Sequence, residues 1–395
     1  MYNSRIKTLV HHHDRYRRSV LNLQASENFM IPDARKVLSS DLASRYSHID
    51  DAGINSYGGS SFAEEILLET ENLTNKVFNS RYCDVRPVGG HIAALSALLS
   101  FVSKGDTIMS IPSSKGGYPG YDQDYLPSMM SVRSVHIPYD YEKQVIDYDE
   151  MEMVARKERV RCIVLGQSAF LKSYDLRRIK EIASSMPTDA KIIYDGSHVM
   201  GLIAGGVFQT DALKYSDVIV GSTHKSFYGP QGGLILSNDP SIMETVRKNI
   251  TWKTMDNYHP NRIAALGITM EDFLTSGKKY ASLVVKNSRE LGQSLHERGV
   301  GVRFAPWFSE THQILISHDY LRENGLDFVS FSRLMESNGI IVDRDGRIGT
   351  SEISHHGYSD MKIISELMER ALKRENVKAR VKDVAHGILN GAVTK

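Results

Sequence analysis

Short apolar runs, "DTIMSIP", "VRCIVLG", "KIIYDG", "DVIVGS" and "GGLILS", recur through the middle of the chain, separated by helical text such as "YDLRRIKEIASSM". Strands that read as unbroken apolar runs are buried on both faces, and the amphipathic helices alternating with them supply the cover. The pattern predicts an α/β domain with a mostly parallel central sheet over residues 25–262. Helical text resumes at "RIAALGITMEDFLTSGKKYASLVVKNSRELGQSLHERG" and bridges into a second unit. There, "HQILISH" and "KIISELMERALKR" predict a smaller C-terminal α+β domain over residues 263–395, leaving residues 1–24 as an N-terminal arm. A chain of 395 residues is too long for one compact core, which agrees with two domains.

Charge points the same way as size, toward a soluble protein that handles small molecules. Lysine and arginine number 48 against 47 acids, and a net charge of +1 offers no overall field for nucleic acid or an anionic membrane. The longest apolar stretches, such as "VMGLIAGGVF", fall short of the roughly 20 residues a membrane helix needs. The opening "MYNSRIKTLVHHHDRYRR" has no apolar core of a secretory signal and reads as a mature cytosolic N-terminus, so a cytoplasmic location is expected. The two cysteines, Cys83 and Cys162, lack CxxC spacing and are expected to be free, inert thiols. His11–His13 lie in a polar, arginine-rich stretch with no carboxylate or thiol spaced to complete a metal site, and read as a solvated arm. No metal is expected.

In open sheets of this kind, ligands collect beyond the carboxyl ends of the strands. Asp195, His198 and Lys225 all stand just past apolar runs, Lys225 within "STHKSFYGPQGG". Burial penalises an ammonium and lowers its pKa, and the same setting makes the amine a good nucleophile toward an aldehyde. An aspartate ending an adjacent strand is what a pyridine ring needs to keep its nitrogen protonated. Together the two spell pyridoxal phosphate, although Asp195 alone is as readily a structural ion pair or cap, and Lys225 alone less so because of the cost of burying it. The two glycines of "RPVGGHIAALSALLSF" open an amphipathic helix whose bare N–H groups suit a phosphate.

With "LNLQASENF", "YGG", "VGGHIAA", "YDGSHVMGLIAGGVF", "STHKSFYGPQGG" and "DGRIGTSEIS" in order, the chain resembles the serine hydroxymethyltransferase family of fold-type-I pyridoxal phosphate enzymes. The series covers most of the sequence. The resemblance implies that Lys225 forms the internal Schiff base, that Asp195 pairs with the pyridine nitrogen, and that Ser168 and His198 surround the ring and its phenolic oxygen. Gly89 and Gly90 take the phosphate-loop position, and the same blocks put His91, Ser222 and His224 beside the cofactor. Ser26, Glu27 and Tyr57 match the substrate pocket, Tyr46 the family tyrosine of "YxEG", and Arg347 the arginine that grips the substrate carboxylate through its planar fork. It further implies a homodimer with a shared active site.

The sequence departs from the family at four places. The "YxEG" glutamate is replaced by His48, which can still exchange protons near neutral pH. "HGGH" becomes "KGGY", so Lys115 and Tyr118 stand where a histidine would stack on the ring, and Tyr118 or another residue must cover it. The arginine of "GPRGG" is Gln231, and the glycine-rich loop that a partner subunit lends to the phosphate is replaced by "TMDNYHPNRIAA", with His259, Asn261 and Arg262 as candidate substitutes. The expected activity is making or breaking the Cα–Cβ bond of a β-hydroxy amino acid: serine or threonine to glycine plus an aldehyde, or glycine transfer to another aldehyde. Ordinary tetrahydrofolate-dependent serine hydroxymethyl transfer is an alternative. So are aminotransferase or racemase chemistry at Cα–H, and a non-catalytic protein that retains the fold.

Overall fold

A computed structural model describes residues 4–49 and 54–390. The chain divides into two units, Asn28–Ala281 and, separately, Met1–Glu27 with Ser282–Lys395.

The larger unit is built on a seven-stranded sheet. Its strands are β1 (Tyr82–Asp84), β2 (Thr107–Ser110), β3 (Arg133–His136), β4 (Cys162–Leu165), β5 (Lys191–Asp195), β6 (Val218–Ser222) and β7 (Gly233–Ser237). They lie in the order β1-β7-β6-β5-β4-β2-β3, and only β7 runs against its neighbours. All five apolar runs in the sequence became strands of this sheet. The two strands without such a run, β1 and β3, sit at its edges, where one side needs no apolar neighbour. Every side chain of β4, β6 and β7 is buried, as expected of strands covered on both faces.

Helix α1 (Ser61–Phe78) ends at Asn79, whose left-handed φ of 51° closes it. Helix α2 (Gly90–Phe101) lies across β6 and β7, where Ala93, Ala94 and Ala97 let it approach closely and Leu98 joins Val218, Val220 and Ile235 in the core. Truncating a core residue such as Ile193 or Val220 to alanine would cost about 2–5 kcal/mol.

Helix α3 (Pro260–Glu297) is one continuous helix of 38 residues. The sequence reading closed the large domain at 262 because helical text resumes there, whereas the structure closes it at 281. The first half of α3 is part of the large unit: Phe273 stacks on Phe227 with ring centroids 4.7 Å apart, and Ile263, Leu266 and Met270 are fully buried. The second half contributes Leu291 and Leu295 to the core of the smaller unit.

The N-terminal residues also differ from a separate arm. Arg5–Arg17 is a helix, and Leu21–Asn22 pairs in parallel with Ile340–Ile341 inside the smaller unit. His11, His12 and His13 are exposed on that helix. A second small ladder, Gln313–Leu315 against Arg347–Gly349, is antiparallel. Leu23, Ile314, Ile348 and Val381 are among the fully buried residues of the core around these strands. Among the described residues no helix is long and apolar enough to cross a membrane.

Candidate active site

The carboxyl ends of β4, β5 and β6 meet the N-terminus of α2 at a cavity lined by Lys225, Asp195, His198, Ser168, Gly90, His91, Tyr118 and Ser222. Eight residues singled out from sequence are thus brought together by the fold, and Gln167 and Ser197 join them. Asp195 is the last residue of β5 and pairs with Val220 of β6, while Lys225 follows three residues after β6 ends.

Asp195 is 7% exposed, and its carboxylate accepts from a phenol and a backbone N–H. The Tyr121 hydroxyl donates to Oδ2 at 2.7 Å and the Ser197 backbone N–H to Oδ1 at 2.9 Å. Burial, reinforced by Asp195, pushes the Tyr121 phenol well above its usual range, so Tyr121 stays a donor. Tyr118 is shifted the same way by the same two causes. A Cβ on Gly166 would lie 2.6 Å from the Asp195 Cβ, so a glycine is needed behind the carboxylate.

The backbone of Lys225 is fixed from outside its own loop. Asn28 donates to the Lys225 carbonyl at 2.7 Å and to the Tyr280 hydroxyl at 2.8 Å, and Tyr280 in turn donates to the Ser226 carbonyl at 2.7 Å. The turn closes on itself as Thr223 Oγ1 donates to the Pro230 carbonyl and the Gly229 N–H to the Thr223 carbonyl. Neighbouring His224 is brought down to about 4 by burial and by the Lys225 charge, so its ring is neutral at neutral pH. It does not line the cavity.

At the head of α2, a Cβ on Gly90 would fall 2.4 Å from the Ser222 hydroxyl and 3.1 Å from that of Ser197. The cradle is therefore one only glycine leaves open. Two hydroxyls and the first N–H groups of a 12-residue helix face it, the donor set that binds a phosphate. Gly89 precedes it as the extended N-cap, and its carbonyl is where a Cβ on Gly233 would collide, at 2.4 Å. A buried aspartate for a ring nitrogen, a strand-end lysine for an aldehyde and this phosphate cradle fit pyridoxal 5'-phosphate.

The "KGGY" loop resolves into two roles. Lys115 turns away and donates to the Tyr139 carbonyl at 2.7 Å, so it is not a cavity residue. Gly116, at φ 86°, lets the chain reverse, and its carbonyl accepts from the N–H groups of Ser168 and Ala169 at 2.8 and 3.1 Å. Tyr118 is thereby placed at the cavity, its hydroxyl 3.0 Å from His91 Nδ1.

Other expected residues stand apart. His48, nearly fully buried, packs edge-on against Trp252 at 4.8 Å, Tyr46 donates to Asp256, and the rings of Tyr46 and Tyr57 lie 4.7 Å apart. None of the three lines the Lys225 cavity. Arg262 does not present its guanidinium to a phosphate. It is 6% exposed, donates to the carbonyls of Val85, Arg86 and Tyr258, and is lowered to about 10 by burial. Asn261 is engaged with the Leu38 carbonyl.

Arg347, Ser26 and Glu27 belong to the smaller unit. Arg347 Nε lies 3.3 Å from Asp343 and 3.0 Å from Asp345, and Asp343 also accepts from the Ala25 N–H at 3.2 Å. Glu27 is taken by Arg17 at 2.6 Å and Asn22 at 3.0 Å. Sequence reasoning missed Tyr121, Ser197, Gln167, Asn28 and Tyr280. Ser197 and Gln167, each two residues past the end of an apolar strand, carried a local signal.

The profile of the serine hydroxymethyltransferase family matches residues 1–353. Serine hydroxymethyltransferase of Methanobrevibacter smithii is 33% identical over 386 residues, covering 94% of this chain and 90% of its own. That of Thermoplasma acidophilum is 34% identical over 391 residues, covering 92% and 89%. In fold, the chain is similar to a crystal structure of L-threonine transaldolase from Pseudomonas fluorescens in the internal aldimine state, with a TM-score of 0.85 at 22% identity over 98% of this chain and 90% of that one.

Proposed function

The chain belongs to the serine hydroxymethyltransferase family, and from that premise we propose that it makes or breaks the Cα–Cβ bond of a β-hydroxy amino acid, transferring the glycine unit between aldehydes. It is a pyridoxal 5'-phosphate enzyme of fold type I. The observation that carries the reading is the convergence of Lys225, Asp195, His198 and Ser168 on one cavity with the glycine cradle of α2.

When bound, the cofactor supplies an electron sink for a bond broken at Cα. The chain's part is positional and electrostatic. Asp195, oriented by the Tyr121 hydroxyl and the Ser197 N–H, would offer its carboxylate to a ring nitrogen. Gly90, Ser197 and Ser222 would hold the phosphate, and Asn28 with Tyr280 fixes the backbone that carries the Lys225 amine. Tyr118 and His91 are hydrogen-bonded to one another at the cavity, and Tyr118 would cover the ring in place of the family's histidine. Arg347 is assigned the substrate carboxylate, with Ser26, on the resemblance. His48, Tyr46 and Tyr57, grouped on Trp252 and Asp256, would serve a second copy in a homodimer, with His48 exchanging the hydroxyl proton.

The histidine at 48 in place of a glutamate favours aldehyde transfer over folate-dependent chemistry. The curated relatives at 33% and 34% identity, named serine hydroxymethyltransferase, favour hydroxymethyl transfer. Serine and threonine cleavage with and without tetrahydrofolate separates them. Folate-independent threonine cleavage that accelerates with added aldehyde supports transfer, and folate-stimulated serine cleavage supports the hydroxymethyltransferase. A keto acid or an inverted amino acid as product overturns both.

A further inference from the structure

The smaller unit holds a feature that the Cα–Cβ chemistry does not use. A groove of about 600 Å³ lies between the helices Arg5–Arg17 and Lys378–Leu389, lined by His11, Arg15, Arg18, Lys378, Lys382 and His386. Asp14 is its one acid.

The spacing of these side chains is regular. His11 and Arg15 are four residues apart on one helix, and Lys378, Lys382 and His386 repeat at the same interval on the other. Residues four apart share a helix face, so each helix turns a basic stripe toward the groove. Lys378 and Lys382 repel at that interval, and Arg15 and Arg18 on the facing side add to the repulsion.

Neighbouring cations are treated differently. Arg17, on the same N-terminal helix, pairs with Glu27 at 2.6 Å, and Arg298 pairs with Glu369 at 2.9 Å. Among the described residues no carboxylate lies within 4.0 Å of a side-chain nitrogen of Arg15, Arg18, Lys378 or Lys382. The one recorded side-chain contact of Arg15 is a 3.0 Å hydrogen bond to His11 Nε2.

We propose that this groove is a binding site for a compact oligophosphate, a ligand carrying consecutive phosphoryl groups. The basic stripe from Lys378 to His386 is about 12 Å long at 1.5 Å per residue. A single carboxylate or phosphate would meet only part of it, whereas a short run of phosphates meets it along its length. The groove's volume lies within the range of small-molecule sites, and its concavity between two helices selects a compact ligand over a rod-like polymer.

The test uses cofactor-saturated protein, so that the phosphate cradle of the active site is filled. Titration with sodium tripolyphosphate by calorimetry is expected to show one site per chain, weakening several-fold between 50 and 200 mM salt. The double variant Arg15→Ala/Lys382→Ala is expected to lose at least tenfold in affinity, as is Lys378→Glu by itself. Lys104→Ala, an exposed lysine of the other unit, is expected to change nothing. Wild-type affinity in both groove variants, or no saturable binding below 1 mM, overturns the site. Binding of tetraglutamate without binding of tripolyphosphate overturns the phosphate assignment, as does binding of long RNA alone.

Discussion

Asp84 and Asp195 end parallel strands of the same sheet, are both buried, and are held in opposite ways. Asp84 is gripped by cations: Arg86 Nη2 lies 2.6 Å away and Arg247 Nε 3.7 Å. Burial raises its pKa, but the pull of Arg86 outweighs burial and leaves the carboxyl below the usual range. Asp195 is held by a phenol and a backbone N–H. The first acid is neutralised by its own chain. The second faces the cavity that Lys225 and the head of α2 also line, where the proposed function gives it a ring nitrogen to meet.

Substitutions on edge strand β1 and on central strand β5 should therefore fail differently. The largest effect is expected at Lys225→Ala, with turnover falling about 10⁴-fold or more and the cofactor's absorbance band lost from its protein-bound position. Asp195→Asn should lower kcat by about 10²–10⁴-fold while the melting temperature barely moves. Asp84→Asn should reverse this, destabilising the protein by about 3–5 kcal/mol by leaving Arg86 unpaired, with kcat unchanged in the folded fraction. If Asp84→Asn lowers kcat and Asp195→Asn lowers only stability, the distinction is broken. Tyr121→Phe removes one donor from the Asp195 carboxylate and should cost about 1.5–3 kcal/mol, read as a smaller fall in kcat with cofactor retained.

The smallest effect sharpens the contrast through pH. Glu71, beside Arg247, is raised to about 7 by burial and by Asp84, from 4.5. Between those values the folded chain holds a proton that the unfolded chain has released, so this stabilisation is lost as pH rises through about 7. His224, beside Lys225, is lowered from 6.5 to about 4, so its contribution is lost as pH falls below 6.5. The two slopes oppose one another, each at most about 1.4 kcal/mol per pH unit. Melting of the apoprotein between pH 5 and 6.5 should show little slope. In Glu71→Gln the protein should become less stable on acidification, and in His224→Asn less stable as pH rises. Parallel behaviour of the two variants would count against both assignments.

The central strands were legible because burial on both faces writes an unbroken apolar run into the sequence. Edge strand β3, with its exposed ends, carries no such mark. The boundary within α3 was misplaced at 262 because the helix passes from one unit to the other without a glycine, proline or cap at the crossing. Lys225, Asp195 and the glycines of α2 could be found locally, since each stands at a strand end or helix start. Tyr121 could not, because it reaches Asp195 across 74 residues of chain.

The sequence by itself determined which chemical groups exist and where along each element they stand: an amine past β6, a carboxylate ending β5, and a glycine where α2 begins. Backbone periodicity and turn chemistry are local, so that much needs no fold. Only the tertiary structure decided that these groups converge, that Lys115 is spent on the Tyr139 carbonyl, and that Arg262 is buried among carbonyls. It decided, too, that basic stripes at the two ends of the chain face one another across a groove. Those outcomes depend on which surfaces are brought together when the core closes, and contacts between distant residues leave no pattern in either residue's own neighbourhood.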